Sequence, residues 1–433
     1  MKNNYLEKKL FQFAKKIYPI NRSINSPGNL LTLKILKKKL KNLSIKSFKS
    51  GKKIYDWKIP HEWHIKDAYI INKKNKKKII DFKKNNLSVL NFSQPVNKIL
   101  NYSDLIKNIY FLKKQPSAIP YITSYYSRNW GFCTTYNAFK KLDKKAKYHV
   151  VIKSKFLKGK MPYGEILLKG QSDKEILIST NICHPSMGNN ETSGIVVTSE
   201  LASWISNLNN RRYSYRIIFI SETIGSIAYI HKNFKKLKKN VKGGFVVVCV
   251  GRKGKISYLS SKTGNTLSDK AALYVLEKSK KKFKKYSFLD RGSDERQFCS
   301  NKIDLPICSI MSAKYDEYKE YHTSLDNINF ISGAGLCQSY HLIKNSIEII
   351  EKNQTYKNIY PHPGEPKLSN YNLRQNISFK INYDYDKLLL NILLLSDGSR
   401  DLLSISKILK ADFDKIYQIS KKLETAKLLK PLL

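Results

Sequence analysis

The chain has 433 residues, 41% of them hydrophobic and 12% aromatic, and carries 80 Lys and Arg against 33 Asp and Glu, a formal net charge of +47. That length excludes a single small module and predicts two or three domains, because one core stops growing at roughly 250–300 residues. No apolar run approaches the roughly 18–20 residues that a membrane-spanning helix needs, so the expectation is a soluble globular protein, and the cysteine usage and N-terminal pattern make a cytoplasmic location the expected one.

The charge suggests nucleic acid or an anionic surface as partner. Only ten of the 80 cations are Arg, however, and Arg supplies the bidentate readers of phosphate and guanine. Lys is spread along the whole chain in company with Asn, Ile and Tyr, whose codons are AT-rich. Solvated Lys faces produced by composition bias are therefore the first reading, and a selected polyanion surface is its rival. The six cysteines lie far apart with no C-x-x-C pair, which predicts reduced, buried thiols in place of a zinc ribbon or a disulfide framework. Met1–Lys16 lacks both the unbroken apolar stretch and the small-residue cleavage site of a secretion signal.

Residues 5–18 and 30–42 carry apolar positions at three- and four-residue steps on either side of a turn with Pro27-Gly28, and both are predicted helices. From Lys46 to about Lys147, short β-like runs at 52–57, 67–72, 78–81 and 87–92 alternate with polar turn clusters, as in a β-rich unit. From Lys147 onward strand and helix alternate: strands at 148–153, 175–180, 215–221 and 244–250, helices at 192–208 and 224–234. The strands Ile176–Ser179, Ile217–Ile220 and Phe245–Val248 are largely apolar on consecutive residues, as expected for an α/β sheet covered on both faces. After a helix around 335–352, the stretch Lys357–Lys367 holds three prolines and no periodicity and reads as a linker. Predicted helices at 386–395, 402–409 and 412–423, then an incipient wing strand at Lys427–Lys430, follow in the order of a winged helix.

His184 directly follows the apolar strand Ile176–Ile182, at the mouth where open α/β sheets place ligands. The loop that follows holds Glu191, next to a helix start that Thr192 or Ser193 can cap. Glu222 ends the strand Arg216–Ser221 ahead of another helix, as a capping group or a general base. Asp294 lies in Arg291–Glu295, and His322 in Glu320–Asp326 after the strand Ile307–Met311. Each alone reads equally well as a satisfied loop residue. Together, at successive strand ends of one sheet, they form a constellation of N and O donors suited to zinc.

The order of these motifs over roughly residues 147–350 resembles the zinc-dependent aminopeptidases of the bacterial leucyl aminopeptidase type, which include the glutaminyl cyclases. The matching elements are His184, the loop Gly188–Gly194, Glu222 with Gly225, Ser293-Asp294, and His322 to Asp326. More closely, the whole chain resembles bacterial aminopeptidase-like proteins with a β-rich insertion of unknown function and a C-terminal winged helix, often found beside polysaccharide biosynthesis. The strings Tyr125–Cys133, Ile182–Ser186, Glu222–Ser226, Leu289–Gln297 and Tyr321–Asp326 carry that likeness. The resemblance implies a three-layer α/β/α core at residues 1–50 and 147–356, an inserted β-rich domain at 51–146, and a winged-helix domain at 366–433.

The chain departs from the peptidase pattern at the metal ligands. Ser186 stands where a carboxylate would orient the first His. The bridging Asp maps onto Asn189, Asn190 or Glu191, of which only Glu191 is an anion. The paired Glu-Glu becomes Glu222-Thr223, and the later Asp ligand falls near Cys249 or Gly251. With His184, Glu191, Asp294 and His322 left as candidate ligands, one zinc ion is predicted in place of two. Glu222 is the expected general base, and Arg128 and Tyr321 are the expected substrate contacts, although Arg128 with Trp130 also reads as an aromatic core carrying one surface Arg. The implied function is a zinc-dependent amide hydrolase acting on a small or short peptide-like substrate, linked to polysaccharide biosynthesis. Its rival is a catalytically inactive binding or assembly protein of the same fold. The third helix of the C-terminal unit offers Gln418 and lysines only, so no specific nucleic acid is expected as a partner, nor a membrane; a homo-oligomer is left open.

Overall fold

Every residue of the strands Glu175–Asn181 and Ser214–Ile220 is buried. Both faces of their sheet are therefore covered, and this is why their sequences run apolar on consecutive positions. In the computed structural model, which describes residues 2–373 and 380–432, these two strands lie side by side in an eight-stranded sheet. Its order is Ser44–Lys49, Lys160–Leu168, Ser214–Ile220, Glu175–Asn181, Val241–Val246, Ile307–Met311, Ser257–Leu259, Lys284–Tyr286. The four strands from Ser214–Ile220 to Ile307–Met311 are parallel, and antiparallel neighbours flank them. The helices Ser193–Ser206, Ile224–Asn240 and Leu267–Lys278 pack on this sheet, while Lys2–Ile17 packs on Ser193–Ser206 and Pro27–Lys39 on Lys160–Leu168. The α/β core expected from the sequence is the one observed.

A four-stranded antiparallel sheet is built from Lys78–Asp81, Glu62–Asn72, Lys147–Leu157 and Val96–Asn101, in that order. Lys147–Leu157, expected as the first strand of the alternating series, belongs to this sheet. The next strand, Lys160–Leu168, is the one that returns to the large sheet. Trp63 anchors the smaller sheet, buried, with its indole N–H donating to the Ser93 carbonyl at 2.9 Å.

The chain divides into two compact units, Met1–Lys344 and Asn345–Leu433. The second contains the helices Lys380–Leu395, Leu402–Leu409 and Phe413–Thr425 and a three-stranded sheet ordered Asp397–Asp401, Thr355–Asn358, Leu429–Leu432. Its core includes Leu402, Ile405, Phe413, Ile416, Ile419 and Leu423. Thr355–Asn358 overlaps the start of the stretch that reads as a linker. It is a strand because Tyr356 is buried, with its hydroxyl on Gln354 (2.7 Å) and Glu424 (2.9 Å). Among the described residues, no helix is long and apolar enough to cross a membrane.

Candidate functional site

The site forms where the parallel strands end. Two residues beyond Asn181, the buried Cys183 leads into His184, and the chain then turns sharply through Ser186, whose φ of 43° lies in the left-handed region. Gly188 is required by this turn, because a Cβ there would meet the Asn327 carbonyl oxygen at 2.3 Å. Asp326 pins the loop, accepting from the backbone N–H of Asn189 (2.6 Å) and Asn190 (2.9 Å) and from the Tyr318 hydroxyl (2.9 Å). Burial pushes its carboxyl up to about 6, against those hydrogen bonds. The Asn189 side chain accepts from the Gly251 N–H at 2.8 Å and ties the loop to the next strand end. Thr192 and Ser193, expected to cap the following helix, make no side-chain cap bond. Their hydroxyls are engaged elsewhere: Thr192 accepts from Arg22 at 3.3 Å, and Ser193 bonds Asn189 (2.5 Å) and Val250 (2.9 Å).

Glu191 turns back onto His184. Its Oε2 accepts from the backbone N–H of Cys183 (2.6 Å) and His184 (2.8 Å) and from His184 Nδ1 (2.8 Å). Its Oε1 accepts from Arg22 Nε at 3.0 Å. Both partners are sealed off, the Arg22 side chain 0% and the Glu191 side chain 1% exposed. Arg22 also donates to the carbonyls of Ile17 (2.8 Å) and His184 (3.2 Å). Burial would raise the Glu191 carboxyl, but the His184 and Arg22 contacts hold it below the usual carboxylate range. Burial likewise would lower the His184 imidazole, and the bond to Glu191 with its charge more than offsets this, leaving the pKa raised.

With Nδ1 committed, His184 presents Nε2 to the site, where Glu222 Oε2 lies 3.8 Å away. Glu222 accepts from the Ser293 hydroxyl at 2.6 Å and is partly open to solvent. The His322 ring lies 5.4 Å from that of His184, centroid to centroid, and stacks on Tyr321 at 3.9 Å. Among the described residues its buried Nε2 has no hydrogen-bond partner, which leaves its hydrogen-bonding capacity unmet. Burial and the neighbouring His184 push its pKa down to about 3. Asp294 accepts from the Thr223 N–H at 2.8 Å, and burial together with the Glu222 charge pushes its carboxyl up to about 8. Thr223, Cys249 and His322 all hold positive φ (61°, 55° and 52°), the kind of backbone strain that concentrates at functional sites.

Sequence reasoning missed Tyr121 and Tyr125. The Tyr121 ring is 5.3 Å from His184 and 5.2 Å from His322, and its hydroxyl meets that of Tyr125 at 2.6 Å. Burial raises both phenols well above 10, so both are neutral donors. Arg22 was missed as well. The structure thus gathers His184, Glu191, Glu222, His322 and Tyr321 at one place, with Asp294 next to Glu222, while Arg128 is exposed on a cavity in the β-rich region.

Among the described residues, Cys183, His184 and Glu191 form the one trio of ligand-type atoms lying within 4.8 Å of one another. This trio does not suit a metal ion. Glu191 is consumed by Arg22 and three N–H groups, His184 Nδ1 is its donor, and burial with the Glu191 and Glu222 charges keeps the Cys183 thiol protonated. Among the described residues, the donors of the site with free capacity include His184 Nε2, Glu222 Oε2, and the buried His322 Nε2 and Asp294 Oδ2, which have no hydrogen-bond partner.

The family model described as a domain of unknown function (DUF4910) matches residues 11–353, and a winged helix-turn-helix model matches 354–431. A protein of Clostridium acetobutylicum, provisionally named a polysaccharide biosynthesis protein with aminopeptidase-like domain, is 38% identical over 422 residues, covering 97% of this chain and 96% of its own. A crystal structure from the same organism, provisionally named a peptidase, superposes with a TM-score of 0.91 at 37% identity, covering 99% of this chain and 97% of that one. The zinc aminopeptidase BSAP from Bacillus subtilis superposes with a TM-score of 0.57 at 15% identity over 80% of this chain and 94% of its own, which shows a shared fold. The mixed α/β aminopeptidase-like fold and the C-terminal winged helix expected from the sequence are therefore both present, and the chain belongs to the DUF4910 family.

Proposed function

We propose that the chain is a zinc-dependent amide hydrolase that uses a single ion. One observation carries this reading: Glu191 occupies Nδ1 of His184, so Nε2 faces the site with Glu222 Oε2 3.8 Å away and the His322 ring 5.4 Å from the His184 ring, centroid to centroid. The His184 and Glu222 donors, 3.8 Å apart, can share one ion, given metal–ligand bonds near 2.0–2.2 Å, and His322 would have to close on them, since the three do not all lie within 4.8 Å of one another. His184, His322 and Glu222 would hold it, a two-His, one-carboxylate set that leaves a position open. This redistributes the roles expected from the sequence. Glu191 becomes the carboxylate that orients the first His, the function Ser186 cannot serve. Glu222 becomes a ligand, and Asp294 holds the strained Thr223 backbone behind it. A bound zinc ion supplies Lewis-acid polarisation of an amide carbonyl and acidifies water. The neutral Tyr121–Tyr125 pair keeps one hydroxyl proton to offer a substrate oxygen, and Tyr321 fixes the plane of His322. The name of the Clostridium acetobutylicum relative supports a place in polysaccharide biosynthesis, and the peptidase fold supports a small or short peptide-like substrate. Six unpaired, buried cysteines support a cytoplasmic setting.

The absence of a closed trio around His322 among the described residues favours a second reading, a binding protein without turnover. Metal analysis separates the two. Zinc retained by the wild-type chain and lost in both His184→Ala and His322→Ala supports the hydrolase, whereas a wild-type chain that retains none after reconstitution supports binding alone.

A further inference from the structure

The β-rich region holds a cavity of about 430 Å³. One wall is aromatic, with Phe92 meeting Phe156 and Tyr125 edge-on at 5.1 and 5.5 Å and Tyr126 alongside. Lys58, His61 and Arg128 also line it, and among the described residues no Asp or Glu does. In a chain this rich in Lys a cationic lining alone says little. Arg128 is more informative. Of the nine arginines described, eight hold a hydrogen bond, an ion pair or an aromatic ring: Arg22, Arg211, Arg216, Arg291, Arg296 and Arg400 bond oxygens, and Arg212 and Arg252 lie over Tyr213 and Phe330. Arg128 has none of these, and its planar fork of donors is left for something that the chain does not supply.

One side chain of the cavity wall is hydrogen-bonded to the candidate site. Tyr125 lines the cavity, and its hydroxyl meets that of Tyr121, whose ring lies against both imidazoles. We propose that this cavity is a substrate subsite for an oxyanion, carboxylate or phosphate, borne by a small molecule with a ring. Arg128 and Lys58 take the anion, and the Phe92–Phe156–Tyr126 wall takes the ring face. The inference rests on the hydrolase reading for its link to His184 and His322, and on the cavity alone for the binding itself.

The test titrates phenyl phosphate, benzoate and benzyl alcohol into the full-length, zinc-free chain by calorimetry, for wild type, Arg128→Gln, His184→Ala and a remote charge control, Lys253→Gln. The subsite predicts one saturable site for at least one of the two anions, and whichever binds tighter identifies the oxyanion. Affinity should fall about tenfold or more in Arg128→Gln, as for the loss of a charge-assisted contact, and hold in His184→Ala and Lys253→Gln. Benzyl alcohol should bind at least about tenfold more weakly than that anion. Equal affinity for the neutral ring, or anion binding unchanged in Arg128→Gln, overturns the proposal. Anion binding by a wild-type chain that retains no zinc after reconstitution leaves the subsite standing while the hydrolase reading falls.

Discussion

Arg22 sets the state of His184 from 162 residues away. Its guanidinium and Glu191 form a buried ion pair, and removing one member of such a pair leaves an uncompensated charge at a cost of about 3–5 kcal/mol. Arg22→Met is expected to destabilise the chain by about that amount in urea unfolding. Glu191→Gln keeps the size but weakens the grip on Nδ1, and zinc affinity is expected to drop by about 10- to 100-fold, the usual effect of losing an orienting carboxylate. For Glu222→Gln the proposal predicts that metal affinity collapses together with activity. Near-normal affinity with turnover lowered by about 10²- to 10⁴-fold would return Glu222 to the role of general base. His184, Glu222 and His322 were legible in the sequence because each sits in a short string beside a strand end. The part played by Arg22 was not, since nothing near residue 22 encodes a partner at residue 191, and Glu191 read as a ligand because a sequence shows an anion without showing what already holds it.

Strands buried on both faces were the most legible elements, since burial at every position leaves an unbroken apolar run. Lys160–Leu168 escaped notice because Glu165 interrupts its run. That carboxylate is tolerated inside because Arg216 bonds it at 2.9 Å while gripping Glu175 with two more bonds (2.6 and 2.8 Å), and Lys46 and Tyr229 add contacts. Burial would raise the Glu165 carboxyl, yet these partners hold it below its usual 4.5. A depressed carboxyl stabilises the fold above the unfolded-state pKa, and that contribution is lost as pH falls through the folded-state value. Glu165→Gln should therefore flatten the loss of stability below about pH 4.5, as read from urea midpoints against pH. The loop-to-helix junction makes a separate demand. A Cβ on Gly194 would meet the Val247 carbonyl oxygen at 2.4 Å and the Thr180 hydroxyl at 2.5 Å. Gly194→Ala is expected to cost about 1–3 kcal/mol, the usual price of overpacking, and an unchanged urea midpoint would show that the junction yields more easily than its contacts imply.

At the scale of the molecule, the charge of +47 predicts duplex DNA binding that is non-specific, in the range of about 10⁻⁴ to 10⁻⁶ M at physiological salt, and steep in salt. In the C-terminal unit the strand Leu429–Leu432 pairs with Thr355–Asn358, which precedes all three helices. The exposed positions of the third helix include Lys415, Gln418 and Lys422, a face with little capacity to read bases. Sub-micromolar, sequence-dependent shifts in a mobility assay would contradict this. The layered α/β core could be read from the alternation of strand and helix, whereas the smaller sheet could not be delimited, because Lys147–Leu157 has the look of a core strand and only its pairing reveals its place. The measurement that bears most directly on the account is the zinc stoichiometry of the reconstituted chain and of its His184→Ala and His322→Ala variants. A single-ion site held by both histidines predicts close to one ion per wild-type chain and none in either variant; two ions in the wild type, none at all, or one that survives either substitution would contradict it.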